Sequence, residues 1–466
     1  MLLALLFVPL VLGPVANAQE AVESAYVRGH ISGGNGIWRA DDFGWFYYDL
    51  DENQGGEQLE VELDGRVAEK DKIVYSSRAW SNKFEYEPWG TYKAVAFMGR
   101  LFLAGYPEST FTEEVSTLEK GLLRAVLLDE DRTITLNYNT TLPLEGGYVL
   151  AVNEISEKNG MVTFVLLKNG QIVHFAVVAP GESFVYKVDG VPVILVHLKE
   201  AMSGGSSGFA ELDAVFQVSD LPDVTLFEGG KLGELEVTDL FDDGFKFQNY
   251  RALTLSRNAV RSLTGNLAFV VVDSPDLYYY PEGGIFDYGV HELRGPTYNN
   301  ASFIPVKLGD YNSSTIARWN SENYSGFYFD PEKQLGAETL VLYNVHDRTV
   351  LPPSRPKVDQ TTNTAFQDGF QYTTFLQPKE FDYKTWGSYF VISFLGTQWF
   401  AGYDSSLLGS PAKKSLLEHE YLGMVLTDSE IKGIVLAGNY TLAEGYEMRI
   451  RDVANDSIFL ELLKNG

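Results

Sequence analysis

FEYEPWGTYKAVAFMGRLFLAGY, residues 84–106, returns 297 positions later (381 − 84) as FDYKTWGSYFVISFLGTQWFAGY, residues 381–403, without a gap. Tyr86, Trp89, Gly90, Tyr92, Phe97, Gly99, Ala104, Gly105 and Tyr106 recur as Tyr383, Trp386, Gly387, Tyr389, Phe394, Gly396, Ala401, Gly402 and Tyr403. A self-match over this span marks an internal duplication, so the rest of the chain is read as two copies of one plan.

Outward from this stretch the correspondence continues. Tyr26-Val27-Arg28-Gly29 opens the first copy and Glu292-Leu293-Arg294-Gly295 the second. Gly44-Trp45-Phe46-Tyr47-Tyr48-Asp49 is answered by Ser325-Gly326-Phe327-Tyr328-Phe329-Asp330, and Leu118-Glu119 by Leu417-Glu418. Between the aromatic run and the Trp-Gly stretch the second copy is longer by 16 residues (297 − 281), and Leu351-Pro352-Pro353-Ser354-Arg355-Pro356 reads there as an enlarged surface loop. Leu166-Leu167-Lys168-Asn169-Gly170 is matched by Leu462-Leu463-Lys464-Asn465-Gly466. A hairpin turn at the last residue, with no counterpart of residues 171 to about 290, predicts that the sequence is a fragment.

The local pattern is that of half-buried strands. Leu59, Val61 and Leu63 alternate with Glu60 and Glu62, Ile134, Leu136 and Tyr138 with Thr135 and Asn137, and Leu235 and Val237 with Glu234 and Glu236. Asn159-Gly160 and Asn169-Gly170 read as two-residue hairpin turns. The best helical candidate is Ser116 to Leu128. The predicted fold is all-β: a tandem repeat, each repeat two β-sandwich domains in series, the second repeat truncated. The boundaries expected are 25–187 and 188–291 for the two sandwiches of repeat one and 292–466 for the first sandwich of repeat two.

Composition sets the compartment and the partners. The 466 residues include 45% hydrophobic and 14% aromatic side chains, enough for several cores. Sixty-three acidic against thirty-six basic residues give a net charge of −27, which argues against nucleic acid as a partner. There is no cysteine, hence no disulfide and no thiolate ligand. Residues 1–18 are apolar up to Val15 and end in Ala16-Asn17-Ala18, a signal peptide with a small-x-small cleavage pattern. The mature chain is expected outside the cell.

No catalytic signature stands out. Gly204-Gly205-Ser206-Ser207-Gly208 fits the spacing of a hydrolase nucleophile but lacks the strand-to-helix elbow that chemistry needs. Asp49, Asp51, Asn53 and Glu60 fall at positions 1, 3, 5 and 12 of a calcium loop, though Gln54 stands where glycine makes the sharp turn. They are the calcium candidate, and no other cofactor is expected. The six histidines are scattered without metal-ligand spacing. Asn139, Asn300, Asn312, Asn323, Asn439 and Asn455 begin N-x-S/T sequons, of which Asn139 and Asn439 fall in matching places.

The Arg-Gly openings, the Trp-Gly-x-Tyr stretch ending in Ala-Gly-Tyr, Glu444-Gly445-Tyr446 and the Leu-Leu-Lys-Asn-Gly strand ends resemble the duplicated S-layer domain family of methanogenic archaea. Gly181 to Lys187, Val193 to His197 and Gly233 to Val237 are similar to that family's second half-domain. The resemblance implies a secreted, cell-surface glycoprotein whose tandem β-sandwiches self-associate into a porous two-dimensional lattice, with no enzymatic activity. It also implies a C-terminal membrane anchor, which this sequence does not contain. The competing expectations are a cell-surface adhesin or carbohydrate-binding protein, with an exposed aromatic patch, and a secreted hydrolase, with a deep pocket.

Overall fold

The computed structural model describes residues 25–138, 140–204, 207–285, 294–298, 304–308, 311–343, 345–346, 349–350, 357–359, 364–366, 369–403, 414–430, 439–454 and 457–466. The expected signal peptide and the Pro-rich run at 351–356 lie outside them. The protein is all-β: among the described residues the only helical elements are five short 3-10 turns. None of these residues forms a helix long and apolar enough to cross a membrane.

Two cores organise residues 25–285. One is built from a four-stranded sheet (Ala25–Arg28, Tyr279–Ile285, Leu267–Val271, Ala259–Ser262) and a six-stranded sheet (Gly36–Arg39, Glu57–Val61, Ile73–Arg78, Gly244–Asn249, Leu235–Phe241, Lys231–Leu232). Trp38, Phe43, Phe46, Tyr75, Phe247 and Tyr279 are buried in it. The other core lies between two further sheets. The larger runs Glu182–Val188, Val191–Gly204, Ser207–Val218, Leu122–Glu130, Arg100–Tyr106, Thr91–Phe97, Trp80–Lys83; the smaller runs Thr141–Pro143, Tyr148–Ile155, Val162–Lys168, Gln171–Val178. Phe84, Tyr92, Tyr106, Phe164, Phe184 and Phe216 fill that space.

These cores are nested along the chain. The first draws on residues 27 to 75 and 226 to 279 and on one face of the strands between 95 and 125, the second on residues 84 to 218. The boundary expected between Lys187 and Val188 therefore falls inside a hairpin, where Val188 pairs with Val191 across the positive-φ turn Asp189-Gly190. Alternation locates strands but does not name their partners, and the chain leaves the first core and returns to it.

The duplicated stretch is the wall between the cores. Tyr92, Ala94, Leu103 and Tyr106 face one, while Val95, Phe97, Phe102 and Ala104 face the other. A sheet covered on both faces needs no polar alternation, hence the unbroken run Ala94-Val95-Ala96-Phe97. Lys93 pairs with Gly105 and Ala94 with Leu103, leaving Ala104 as the extra residue of a β-bulge. A Cβ on Gly105 would lie 2.2 Å from the Val115 carbonyl oxygen, so glycine is required. The same bulge recurs in the second copy, where Phe390 pairs with Gly402 and Val391 with Phe400.

Asn169-Gly170 forms the predicted two-residue turn, with φ of 49° and 79°. At Asn159-Gly160 the connection is longer: Ile155 pairs with Val162, and Gly160 N donates to Ser156 O across the intervening loop. Ser116 to Leu128 is not a helix. Its second half is the strand Leu122–Glu130, recruited by pairing with Arg100–Tyr106 and Ser207–Val218, which outweighs a marginal 3.6-residue period. Gly204 pairs with Ser207 and Ser203 with Gly208 at the end of a long hairpin, and Gly205 and Ser206 of the Gly/Ser run lie outside the described residues.

Candidate functional site

An extensive polar arrangement among the described residues centres on a buried carboxylate. Along Glu57–Val61 the alternation that turns Leu59 and Val61 inward also turns Glu57 inward, leaving it 2% exposed. Its Oε1 accepts from Tyr75 Oη (2.7 Å) and Gly99 N (3.0 Å), and its Oε2 from Tyr47 N (2.8 Å). Tyr75 Oη in turn accepts from Met98 N (2.9 Å). Burial pushes the Glu57 carboxyl up to about 7, against the opposing pull of its donors. Gly99 N is available because Met98 and Gly99 form a two-residue turn with φ of 50° and 77°. The carboxylate thus fastens the tip of the duplicated stretch to a neighbouring sheet.

The second copy repeats this arrangement atom for atom. Glu338, fully buried, accepts from Tyr372 Oη (2.7 Å), Gly396 N (3.0 Å) and Tyr328 N (2.8 Å), and Leu395 N donates to Tyr372 Oη (3.0 Å). A second anchor recurs as well. Asp129 accepts from Glu85 N (3.0 Å) and Tyr92 Oη (3.2 Å); Asp428 accepts from Asp382 N (3.0 Å) and Tyr389 Oη (2.9 Å). Burial raises the Asp129 carboxyl to about 7. Sequence reasoning passed over all four acids. The signal for two of them was present: Glu57 is in phase with Leu59 and Val61, and Glu338 follows it at the offset of the aromatic run (338 − 57 = 281).

Chemically these carboxylates are spoken for. Every donor is a backbone amide or a phenol of the scaffold, so they hold the fold together rather than present a reactive group. The closest approach to a catalytic relay is Asp213–His197–Tyr86, with Nδ1 of His197 2.5 Å from Asp213 Oδ1 and Nε2 3.3 Å from Tyr86 Oη. The Tyr86 ring stacks on the imidazole at 4.7 Å with the planes inclined by 29°, and nearby Trp89 donates its indole N–H to Ser183 Oγ (2.9 Å). The group ties the Trp-Gly turn to the strands behind it.

The calcium candidates are not brought together. Asp49 Oδ1 accepts from the amides of Asp51 (3.0 Å) and Glu52 (2.9 Å), and Asn53 Oδ1 accepts from Tyr48 Oη (2.7 Å). Glu60 sits on Glu57–Val61 and bonds Gln58. The loop is a turn closed by its own aspartate, and Asp330 closes its counterpart through Glu332 and Lys333. Among the described residues, no three His, Asp or Glu side chains are grouped to hold a metal.

Of the six sequons, Asn139, Asn300 and Asn455 lie outside the described residues, as does the side chain of Asn312. Asn439 is exposed on Asn439–Thr441. It pairs with Arg449, the register position held in the first copy by Thr141 opposite Ala151, so the Asn139 and Asn439 sequons are two residues out of step. Asn323 is half-buried and used: its Oδ1 accepts from Asn320 N (2.8 Å) and its Nδ2 donates to Arg318 O (3.4 Å).

The sequence matches the S-layer protein family over residues 28–273 and 309–466, both of the duplicated lengths. The chain belongs to the S-layer protein family. Curated S-layer relatives include the major S-layer proteins of Methanosarcina barkeri (strain Fusaro), 23% identical over 97% of this chain, and Methanosarcina acetivorans, also 23% over 97%. That of Methanosarcina mazei is 22% identical over the same share. The chain spans 65 to 66% of the length of these S-layer proteins.

Proposed function

We propose that this chain is a structural, non-enzymatic subunit of a surface layer, built from tandem copies of one nested two-core unit. It would be displayed outside the cell and assemble with further copies of itself into a porous sheet. The observation that carries the reading is the duplication of the Glu57 and Glu338 anchors in a chain of this family. The most developed polar sites are used twice for holding strands, and neither is arranged for turnover. A lattice needs several modest contacts per subunit, and tandem copies supply them with added avidity.

The net charge of −27 bears on what such a sheet admits. Negative faces repel anions within about 8 Å at physiological salt, so charge selection would operate only in narrow openings. Asn439 is the favoured glycan acceptor, being exposed on an outer strand. Asn323 is expected to stay bare because its amide closes a turn.

Electron microscopy of the secreted chain at rising concentration, with and without calcium, tests the proposal. Ordered two-dimensional arrays are expected. A monomer that persists under every condition would overturn it and bring a glycan-binding screen forward.

A further inference from the structure

The two Arg-Gly openings occupy equivalent places. Trp38 donates its indole N–H to His30 O (2.8 Å), two residues after Arg28, and Trp319 donates to Pro296 O (2.9 Å), two residues after Arg294. From each opening the arginine reaches into the other copy. Arg28 donates through Nη2 to Ser321 O (2.7 Å) and through Nη1 to Glu322 O (2.9 Å), and its guanidinium lies 5.4 Å from the ring centre of Phe329. Arg294 donates through Nη2 to Phe46 O (2.9 Å) and Phe43 O (3.2 Å), with its guanidinium 5.1 Å from the ring centre of Tyr48. Tyr48 and Phe329 are the same position at the offset of the aromatic run (329 − 48 = 281).

The exchange is reciprocal at the level of the loops: each arginine enters the other copy's loop and lies over the equivalent ring, Phe329 or Tyr48, while the carbonyls gripped differ, Ser321 and Glu322 by Arg28 but Phe43 and Phe46 by Arg294. Mutual exchange of this kind is the mark of an approximately isologous contact. A translational stacking of repeats would place Arg294 against the first copy without returning Arg28 to the second. Further ties support the contact. Thr297 N donates to Asp41 O (2.7 Å), and a groove of about 360 Å³ runs between Val260, Val271 and Tyr280 on one side and Phe329, Pro331 and Glu332 on the other. An arginine fork held by two carbonyls over an aromatic face is a directional contact that lysine does not reproduce.

We propose that each Arg-Gly opening and the loop at 40–48, or its counterpart at 321–329, form one self-complementary face, through which the two copies pair inside the chain as a two-fold dimer would. The face is consumed within the molecule, so contacts between chains use other surfaces. This pairing goes beyond the surface-layer reading and does not rest on it.

Hydrogen exchange read by mass spectrometry on the intact secreted chain tests the reciprocity. Arg28→Ala is expected to speed exchange about tenfold across 320–329 while leaving 40–48 unchanged. Arg294→Ala is expected to speed 41–48 severalfold, less because its Nη1 is buried without a partner. Loosening confined to the mutated copy's own loop would overturn the proposal. Should Arg28→Ala fail to fold, Arg28→Lys keeps the charge and removes the fork. The absence of native cysteine permits an independent measurement with Asp41→Cys plus Thr297→Cys. A disulfide within the monomer is expected; a disulfide-linked dimer, or none, would overturn internal pairing.

Discussion

Residues 84–106 and 381–403 share one bulged hairpin and the same two carboxylate anchors yet live in different surroundings. The rings hold the same attitudes: Phe84 and Tyr106 stack at 6.5 Å and 7°, Phe381 and Tyr403 at 6.5 Å and 16°. In the first copy Phe216 packs edge-on against Phe84 at 4.8 Å, Tyr106 Oη donates to Pro192 O, and Trp89 is 8% exposed. In the second, the described residues contain no counterpart of Glu182–Val188, Val191–Gly204 or Ser207–Val218. Trp386 is 49% exposed, and an open cavity of about 560 Å³ lies among Phe381, Tyr389, Phe400, Tyr403 and Leu462. Turn chemistry and the two carboxylate anchors therefore set the shape of the stretch, and remote strands set its burial.

The largest test of that division is Trp89→Ala against Trp386→Ala. Removing the buried indole should cost about 3–5 kcal/mol. Removing the exposed one in this chain should cost about 1 kcal/mol or less, both read from urea unfolding monitored locally by hydrogen exchange. Equal losses would mean that the cover contributes little.

The anchors make the opposite forecast, that the copies behave alike. Glu57→Gln and Glu338→Gln each turn an acceptor into a donor facing a backbone amide, and each should cost about 1–3 kcal/mol. Tyr75→Phe and Tyr372→Phe should cost somewhat less, about 1–2 kcal/mol, by orphaning Met98 N and Leu395 N. A difference between partners beyond experimental error would show that the surroundings enter after all.

Acidity sharpens the comparison further. The Glu57 carboxyl is raised in the folded state to about 7, so the folded protein binds a proton that the unfolded chain releases near its ordinary value of 4.5. Stability should therefore rise as pH falls from about 7 toward 4.5 and change little above 7, with a slope of at most roughly 1.4 kcal/mol for each step of one in pH. Glu57→Gln should flatten that window; an unchanged slope would assign it to other acids such as Asp129. The smallest effect is expected at Asn439→Gln, within about 0.5 kcal/mol, with loss of one glycan in intact mass as its readout.

How far the molecule could be read from its residues follows from the same contrast. The strands, the Asn169-Gly170 turn and the correspondence of Tyr92 with Tyr389 between the copies were legible because each depends on a few neighbours in the sequence. Glu57 was legible in principle, since its phase with Leu59 turns it inward, but an acid in a strand invites the solvated reading. The division at Lys187/Val188 was not legible. Thr91–Phe97 serves two cores at once, and the return of the chain at Gly244–Asn249 to pair with Ile73–Arg78 depends on contacts between residues far apart in the chain.

That shared sheet also has a mechanical meaning. Tension applied to the first core reaches the second through short backbone connections such as Arg78-Ala79-Trp80 and through the sheet the two cores share. Within that sheet, Thr91–Phe97, Arg100–Tyr106 and Leu122–Glu130 have side chains in both cores and hydrogen bonds that run across the strands. A load directed along those strands would have to shear the ladder as a whole instead of peeling it one bond at a time.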